Sequence, residues 1–76
     1  MVHAYVLVKT GASRSDTAIG TIREFPGITE AHIVAGEYDI VAEVDVEDVY
    51  SVLHTSASEI QALDGIDETR TYIALE

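Results

Sequence analysis

The residues best equipped for chemistry lie between two apolar runs, at residues 28–35 and 40–46. They combine a glycine, two carboxylates and a phenol in four consecutive positions: Gly36, Glu37, Tyr38 and Asp39. Glycine tolerates the positive φ that a short hairpin connection needs, and aspartate often bonds backbone N–H groups in turns. Local chemistry on its own therefore favours a hairpin turn at this position.

Other residues that could support catalysis or bind a metal lack the necessary spacing. The histidines, His3, His32 and His54, are too far apart for a ligand pair such as His-x-x-x-His. The acidic run at residues 43–48 does not have the pattern of a calcium-binding loop. No glycine-rich phosphate loop is present, and the sequence has no cysteine. We therefore predict no catalytic residue, no metal site and no cofactor.

The size of the chain limits how it can be stabilised. Its 76 residues predict one domain, residues 1–76, and 47% of them are hydrophobic, which is ample for a globular core. A domain this small buries only about 60% of the surface that its unfolded chain exposes. Because there is no cysteine for a disulfide or a thiolate metal site, self-association is the remaining common means of stabilisation.

The charge is strongly acidic, with 14 acidic residues against four basic ones and a formal net charge of −10. Such a charge repels phosphate backbones and argues against direct DNA or RNA binding. It also suits a high-salt cytoplasm, where salt screens self-repulsion, and so predicts a halophilic source. No apolar run reaches the roughly 18 residues of a membrane span, and no basic-then-apolar leader opens the chain. We therefore expect a soluble, cytoplasmic protein without membrane contacts.

Hydrophobic periodicity predicts six elements that position these residues. In chain order they are a strand (2–9), a helix (14–24), two strands (28–35 and 40–46), a second helix (47–63) and a last strand (69–75). Ser13 with Asp16 resembles a capping box for the first helix, and Asp45 with Asp48 gives a similar signal for the second. The apolar stripe of the second helix is Val49, Val52, Leu53, Ser56, Ile60 and Leu63.

The order βαββαβ predicts a ferredoxin-like α+β sandwich. Its four-stranded antiparallel sheet has the order 4-1-3-2, and both helices cover one face. The other face then carries apolar side chains: Tyr5, Leu7, Val41 and some of Ile33, Tyr72 and Ala74. Because a soluble monomer rarely exposes so large an apolar surface, we expect a second copy to pack its sheet there as an isologous dimer.

Four stretches of the sequence resemble the effector-binding domain of the Lrp/AsnC family, also called the RAM domain, over residues 2–75. They are Ala4-Tyr5-Val6-Leu7-Val8, Pro26-Gly27-Ile28, Val34-Ala35-Gly36-Glu37-Tyr38-Asp39-Ile40-Val41 and Thr69-Arg70-Thr71-Tyr72. The most specific is the Gly-x-Tyr-Asp hairpin followed by an apolar strand. The first predicted strand begins at Val2, so the chain is similar to stand-alone members without a helix-turn-helix.

The resemblance implies an amino-acid-sensing regulator of transcription or metabolism rather than an enzyme. Family members dimerise through their sheets, and the dimers often form rings, commonly octamers. The resemblance also implies an effector site between dimers near the Gly-x-Tyr-Asp turn, with Gly36, Glu37, Tyr38 and Asp39 as candidates and Thr69 and Thr71 as additional ones. Full-length Lrp/AsnC regulators are implied partners.

The candidate residues have suitable chemistry for an amino-acid zwitterion. Successive turn amides can bind its carboxylate, and Glu37 or Asp39 can bind its ammonium group. Two alternatives stay open. One is a small dimeric enzyme of cofactor-free monooxygenase or isomerase type, which needs a cavity inside the protomer and is compatible with the small side chains of Ala18, Ala42 and Ala57. The other is a structural adaptor without a ligand.

Overall fold

The computed structural model describes residues 1–11 and 14–76, which form one sheet and two helical regions. The elements are β1 (Val2–Thr10), α1 (Ser15–Ile22), β2 (Ile28–Ile33), β3 (Ile40–Val46), α2 (Val49–Leu53), which continues as the π-helical segment His54–Ile60, and β4 (Ile66–Ile73). The antiparallel sheet has the order β2-β3-β1-β4. This is the predicted order seen from the other edge, and the predicted ferredoxin-like α+β fold is confirmed.

The core lies between one face of the sheet and the helices. Alternation along β1 buries Ala4, Val6 and Val8 completely, as expected for a strand with one face covered. In the register of the sheet, Val6 lies opposite Ala42 and Val8 opposite Ile40 of β3. The helical residues buried against them are Ala18, Ile19, Ile22, Val52 and Ile60. One continuous hydrophobic cluster therefore joins both helical regions to the sheet.

The first helix is shorter than its predicted range of 14–24. It spans Ser15–Ile22, and its predicted cap, Ser13, lies outside the described residues. The Arg23 guanidinium follows the helix and donates two hydrogen bonds to the Ala31 carbonyl, at 3.0 and 2.8 Å. These bonds tie the end of α1 to the middle of β2.

The second helix differs from its prediction in both its start and its type. Instead of one α-helix over residues 47–63 with Asp45 as cap, the chain forms α2 and then the π-helical segment. Asp48 is the N-cap, and its Oδ1 accepts the Ser51 N–H at 2.8 Å, which lowers the pKa of Asp48. Asp45 cannot cap the helix because it belongs to β3 and its carboxylate bonds His3.

The second helical region buries a partly different set of residues from the predicted stripe. Thr55 and Ile60 are five positions apart and both buried, as expected where backbone bonds span five residues. Val49 and Leu53, which the periodicity places in the buried stripe, are exposed instead. Of the remaining stripe, Val52 and Ile60 are buried as predicted, Leu63 is partly buried, and the side chain of Ser56 lies outside those described. Among the described residues, no helix is long and apolar enough to cross a membrane.

The last strand starts three residues earlier and ends two residues earlier than the predicted range of 69–75. It spans Ile66–Ile73, because pairing with β1 extends to Thr10 opposite Ile66, after an irregularity at Lys9. Asp and Glu have low strand propensity, but pairing with a central strand outweighs it here. β2 ends at Ile33, two residues before its predicted end.

The sheet face away from the helices is partly apolar, and we call it the open face. Tyr5 lies opposite Tyr72 of β4, and Leu7 opposite Val41 of β3. The two tyrosines are 39% and 55% exposed, respectively. Ile33, one of the residues expected here, lies instead on the helix-covered side, because its partner on β3 belongs to the core.

Candidate functional site

The predicted hairpin connects β2 and β3, but it is not a tight turn. Six residues separate Ile33 from Ile40, and the Val34 N–H donates to the Asp39 carbonyl at 2.8 Å to close the loop. Gly36 does not adopt positive φ, because the longer connection does not need it. The expectation of a short turn that depends on glycine at this position is therefore wrong, while the hairpin itself is present.

Asp39 attaches this hairpin to the end of β1. Its Oδ2 accepts the Thr10 N–H at 2.9 Å and the Thr10 hydroxyl at 3.2 Å. Its own N–H donates to the Val8 carbonyl at 2.9 Å and so extends the β1–β3 pairing. These hydrogen bonds give the half-buried carboxylate a structural role, with or without a bound effector.

Tyr38 attaches the hairpin to β4. Its hydroxyl donates to Glu68 Oε2 at 3.2 Å, and the same oxygen lies 3.5 Å from Arg70 Nε. Partial burial raises the pKa of Tyr38, and the bond to Glu68 raises it further. The phenol therefore stays neutral, and remains a hydrogen-bond donor, at pH values above those at which an ordinary tyrosine begins to ionise. With Asp39, it holds the exposed residues Gly36 and Glu37 beside the end of the sheet.

The two candidate threonines lie on the opposite face of β4 from this group. Thr69 pairs with Val8 and Thr71 with Val6, whose side chains are both buried in the core. The Thr69 hydroxyl accepts a hydrogen bond from Gln61 Nε2 at 2.6 Å. Glu68 alternates with these threonines and faces the open side. The structure thus places Tyr38 beside Glu68 and Arg70 of β4, whereas the two threonines lie on the helix-covered side of the sheet.

Comparison with known proteins assigns the family. Residues 3–76 match the sequence model of the Lrp/AsnC ligand binding domain. The chain belongs to this family. It is 29% identical, over 93% of its length, to an uncharacterized HTH-type transcriptional regulator of Pyrococcus furiosus, and it spans 49% of that protein.

Solved structures agree with the assignment. The crystal structure of TTHA0845 from Thermus thermophilus superimposes with a TM-score of 0.95 at 32% identity, and the match covers 100% of this chain and 95% of that one. The structure of E. coli AsnC gives a TM-score of 0.89 at 25% identity over 99% of this chain and 51% of that one. The Lrp/AsnC domain therefore spans about half the length of two regulators that it resembles.

The open face of this Lrp/AsnC domain carries a polar cluster that the sequence did not indicate. His3 Nδ1 lies 2.6 Å from Asp45 Oδ1, and His3 Nε2 lies 3.3 Å from Glu43 Oε1. The imidazole also contacts the Tyr5 ring edge-on, with centroids 4.9 Å apart. The bond to Asp45, and the charges of both carboxylates, raise the pKa of His3. The protonated form can donate to both carboxylates at once, whereas neutral imidazole has a single N–H.

A groove lies at the other end of the domain from the hairpin. It has a volume of about 920 Å³ and runs between the α1–β2 connection, the end of β3 and α2. Gly27 lies in this connection at φ +90, and a Cβ there would come within 2.7 Å of Val46 Cγ1. Because any side chain at this position would displace Val46, glycine is needed to keep this end of β3 in place.

Three residues beside the hairpin were missed by sequence reasoning: Thr10, Glu68 and Arg70. Their bonds depend on strand register, and Thr10 and Glu68 are 29 and 30 residues from Asp39 and Tyr38 in the chain. The predicted strand, 69–75, contained Arg70 but not Glu68, so the available signal was the alternation that turns Arg70 away from Thr69 and Thr71. Only the register brings that face of β4 to Tyr38. In the described residues, no group of three His, Cys, Asp or Glu side chains has metal-binding geometry.

Proposed function

We propose that this domain binds a small effector of the amino-acid class and self-associates as a regulatory module. The observation that carries the proposal is the match of residues 3–76 to the Lrp/AsnC ligand binding domain. The hairpin supports it, since Tyr38 and Asp39 anchor a turn whose residues Gly36 and Glu37 stay exposed. We place the effector at this turn, where a neighbouring copy would complete the site.

The turn offers complementary groups for both ends of a zwitterion. The Glu37 carboxylate is exposed and suits the ammonium group,. Turn amides suit the carboxylate, and the exposed Arg70 guanidinium is close enough to Tyr38 to assist. The structural bonds of Asp39 to Thr10 make it a weaker partner for the effector. Thr69 and Thr71 are weaker candidates, because they lie on the helix-covered side of β4, away from Tyr38 and Arg70.

The open face is the surface that we assign to self-association. Its apolar side chains, Tyr5, Leu7, Val41 and Tyr72, form a patch across the three strands β3, β1 and β4. Packing two such faces would bury the patch, and an isologous pair forms a closed dimer. Further assembly of dimers into a ring would create the junctions at which we place the effector. A ligand that prefers the assembled state would then shift the population toward it.

Regulation by this domain would pass through a protein partner. A net charge of −10 gives no attraction for DNA,. The effector signal would reach transcription or metabolism through mixed assembly with full-length Lrp/AsnC regulators. The proposed location is the cytoplasm, where amino-acid pools and such regulators meet.

Thermal unfolding in molar salt, with each of the twenty amino acids at millimolar concentration, tests the effector. A ligand at 100 times its Kd should stabilise the folded protein by about 2.7 kcal/mol, which raises Tm by several degrees in a small domain. Glu37→Gln should reduce this shift and leave the unliganded Tm unchanged. Glu30→Gln, which removes the same charge at an exposed position on β2 and away from the turn, is the control.

Three outcomes separate the proposals. No shift with any amino acid, together with a dimer in sedimentation, would leave a ligand-free adaptor. A monomer at micromolar concentration would overturn the assignment of the open face to self-association. A selective shift for one group of amino acids identifies the effector class.

A further inference from the structure

α2 presents an apolar strip to solvent, and we call Val49, Tyr50 and Leu53 the outer strip. Val49 is 47% exposed, Tyr50 81% and Leu53 51%. Residues three and four apart on a helix are neighbours, so the three side chains form one continuous surface. The core does not use them, since Val52, Thr55 and Ile60 fill the buried side of the same region. This strip is separate from the open face and from the hairpin.

The outer strip borders the large groove at the α2 end of the domain. Tyr50 and His54 line that groove, and they also line a smaller one of about 210 Å³ together with Leu53 and Ser58. The strip and both grooves therefore form one surface along the helix. The larger groove opens to solvent, so its lining residues are accessible to a partner.

The charge of this surface is acidic. Glu47, Asp48 and Glu59 line the larger groove, and none of the Lys or Arg residues that the structure describes does. The four basic residues of the sequence are elsewhere. Lys9 and Arg70 are on the open face of β1 and β4, Arg14 lies against Gly65, and Arg23 is bonded to Ala31. An apolar strip beside these carboxylates is complementary to a segment that is both basic and apolar.

We propose that this surface docks a basic amphipathic segment of another protein. An apolar side chain of the segment would pack on Tyr50 and Leu53, and its Lys or Arg side chains would pair with Glu47 and Glu59. A second copy of this chain is a poor occupant in an isologous pairing, since it would bring the same carboxylates, Glu47, Asp48 and Glu59, against this surface and no Lys or Arg that lines it. Nucleic acid is repelled for the same reason. The proposal goes beyond effector binding and does not depend on it.

Fluorescence anisotropy with a labelled synthetic peptide tests the proposal. The probe is an amphipathic helix of Leu, Lys and Arg, and its control has every Lys and Arg replaced by Glu. We expect the basic peptide to bind with micromolar Kd and the acidic one not to bind. Helix-in-groove recognition depends on a few apolar anchors, so Leu53→Ala and Tyr50→Ala should each weaken binding about tenfold. Both side chains are exposed, and circular dichroism should confirm that the variants fold.

Charge variants separate this surface from the general acidity of the protein. Glu47→Gln with Glu59→Gln should weaken peptide binding and reduce its salt dependence. Asp64→Asn with Asp67→Asn removes the same charge from exposed positions outside both grooves and should have a smaller effect. Equal losses for the two pairs would overturn the proposal, as would undiminished binding by Leu53→Ala or no binding of the basic peptide. The amino-acid shifts in Tm are a separate readout and should not change.

Discussion

Asp39 combines a candidate ligand role with a structural one. The carboxylate satisfies both the backbone N–H and the hydroxyl of Thr10. An effector that used the same carboxylate would compete with these bonds. Loss of binding in an Asp39 variant would therefore report on hairpin position as much as on contact with the effector. Glu37, exposed at the same turn, is the better residue for testing recognition.

We expect Asp39→Ala to destabilise the domain by about 1–3 kcal/mol, because it leaves the part-buried Thr10 N–H without its acceptor. Asp39→Asn keeps an acceptor oxygen and should cost less. Urea unfolding of the two variants measures the difference. Equal stability of the alanine variant and the unmodified protein would mean that water replaces the carboxylate at no cost.

The sequence identified Tyr38 and Asp39 as notable residues, but it could not supply their partners. The contacts of Asp39 with Thr10 and of Tyr38 with Glu68 depend on where β1 and β4 lie beside the hairpin. A one-residue slip in strand pairing would reverse every side-chain direction, as the separation of Thr69 from Glu68 illustrates. Site geometry therefore required the structure.

At the scale of elements, periodicity was sufficient to predict which strand residues enter the core. It was insufficient to predict which residues of the second helix do so. The alternation in β1 and β3 predicted which side chains enter the core, and the bounds of β3 agree with the structure. In the second helix, spacings of three and four residues placed Val49 and Leu53 inside. The same spacings predicted the buried Val52 and Ile60 but missed Thr55, which is buried five residues before Ile60. The stripe assumed α-helical spacing throughout, whereas backbone bonds that span five residues shift the positions that share a face.

The His3 cluster couples two strands to pH. His3 on β1 contacts Glu43 and Asp45 on β3, and its pKa in the folded protein is raised above 6.5. The folded state therefore binds the proton more tightly than the unfolded state. The resulting stabilisation is fully present below pH 6.5 and is lost as pH rises through the raised pKa.

Tm measured across this pH range should fall for the unmodified protein as His3 loses its proton. His3→Gln should flatten that part of the profile, because glutamine has no charge to lose. His32→Gln is the control, since His32 is more exposed and contacts Glu30 on its own strand. Identical profiles for His3→Gln and the unmodified protein would show that the cluster contributes no pH-dependent stability.

At the scale of the whole molecule, the acidic charge opposes folding in dilute buffer. The radius of gyration is 11.3 Å, close to the Debye length of about 10 Å at 0.1 M salt. Carboxylates within about that distance of one another therefore repel at this ionic strength, whereas those on opposite sides of the molecule are largely screened. At 1 M salt the Debye length falls to about 3 Å, and only adjacent charges still interact. Screening should therefore stabilise the compact state, as the composition predicted for a halophilic source.

We expect Tm to rise by several degrees between 0.1 M and 1 M KCl, because the Debye length falls from about 10 Å to about 3 Å over this range. A variant with Asp64→Asn, Asp67→Asn and Glu76→Gln removes three exposed carboxylates and leaves a net charge of −7 from the original −10. It should have a higher Tm at low salt and a shallower salt dependence, because less repulsion remains to be screened.

Sedimentation at each salt concentration distinguishes this effect from dimer formation. A dimer would also raise Tm, but that rise would depend on protein concentration. A Tm that does not change with KCl would show that the acidic surface is spaced widely enough for its repulsion to be negligible, and the halophilic interpretation would then be wrong.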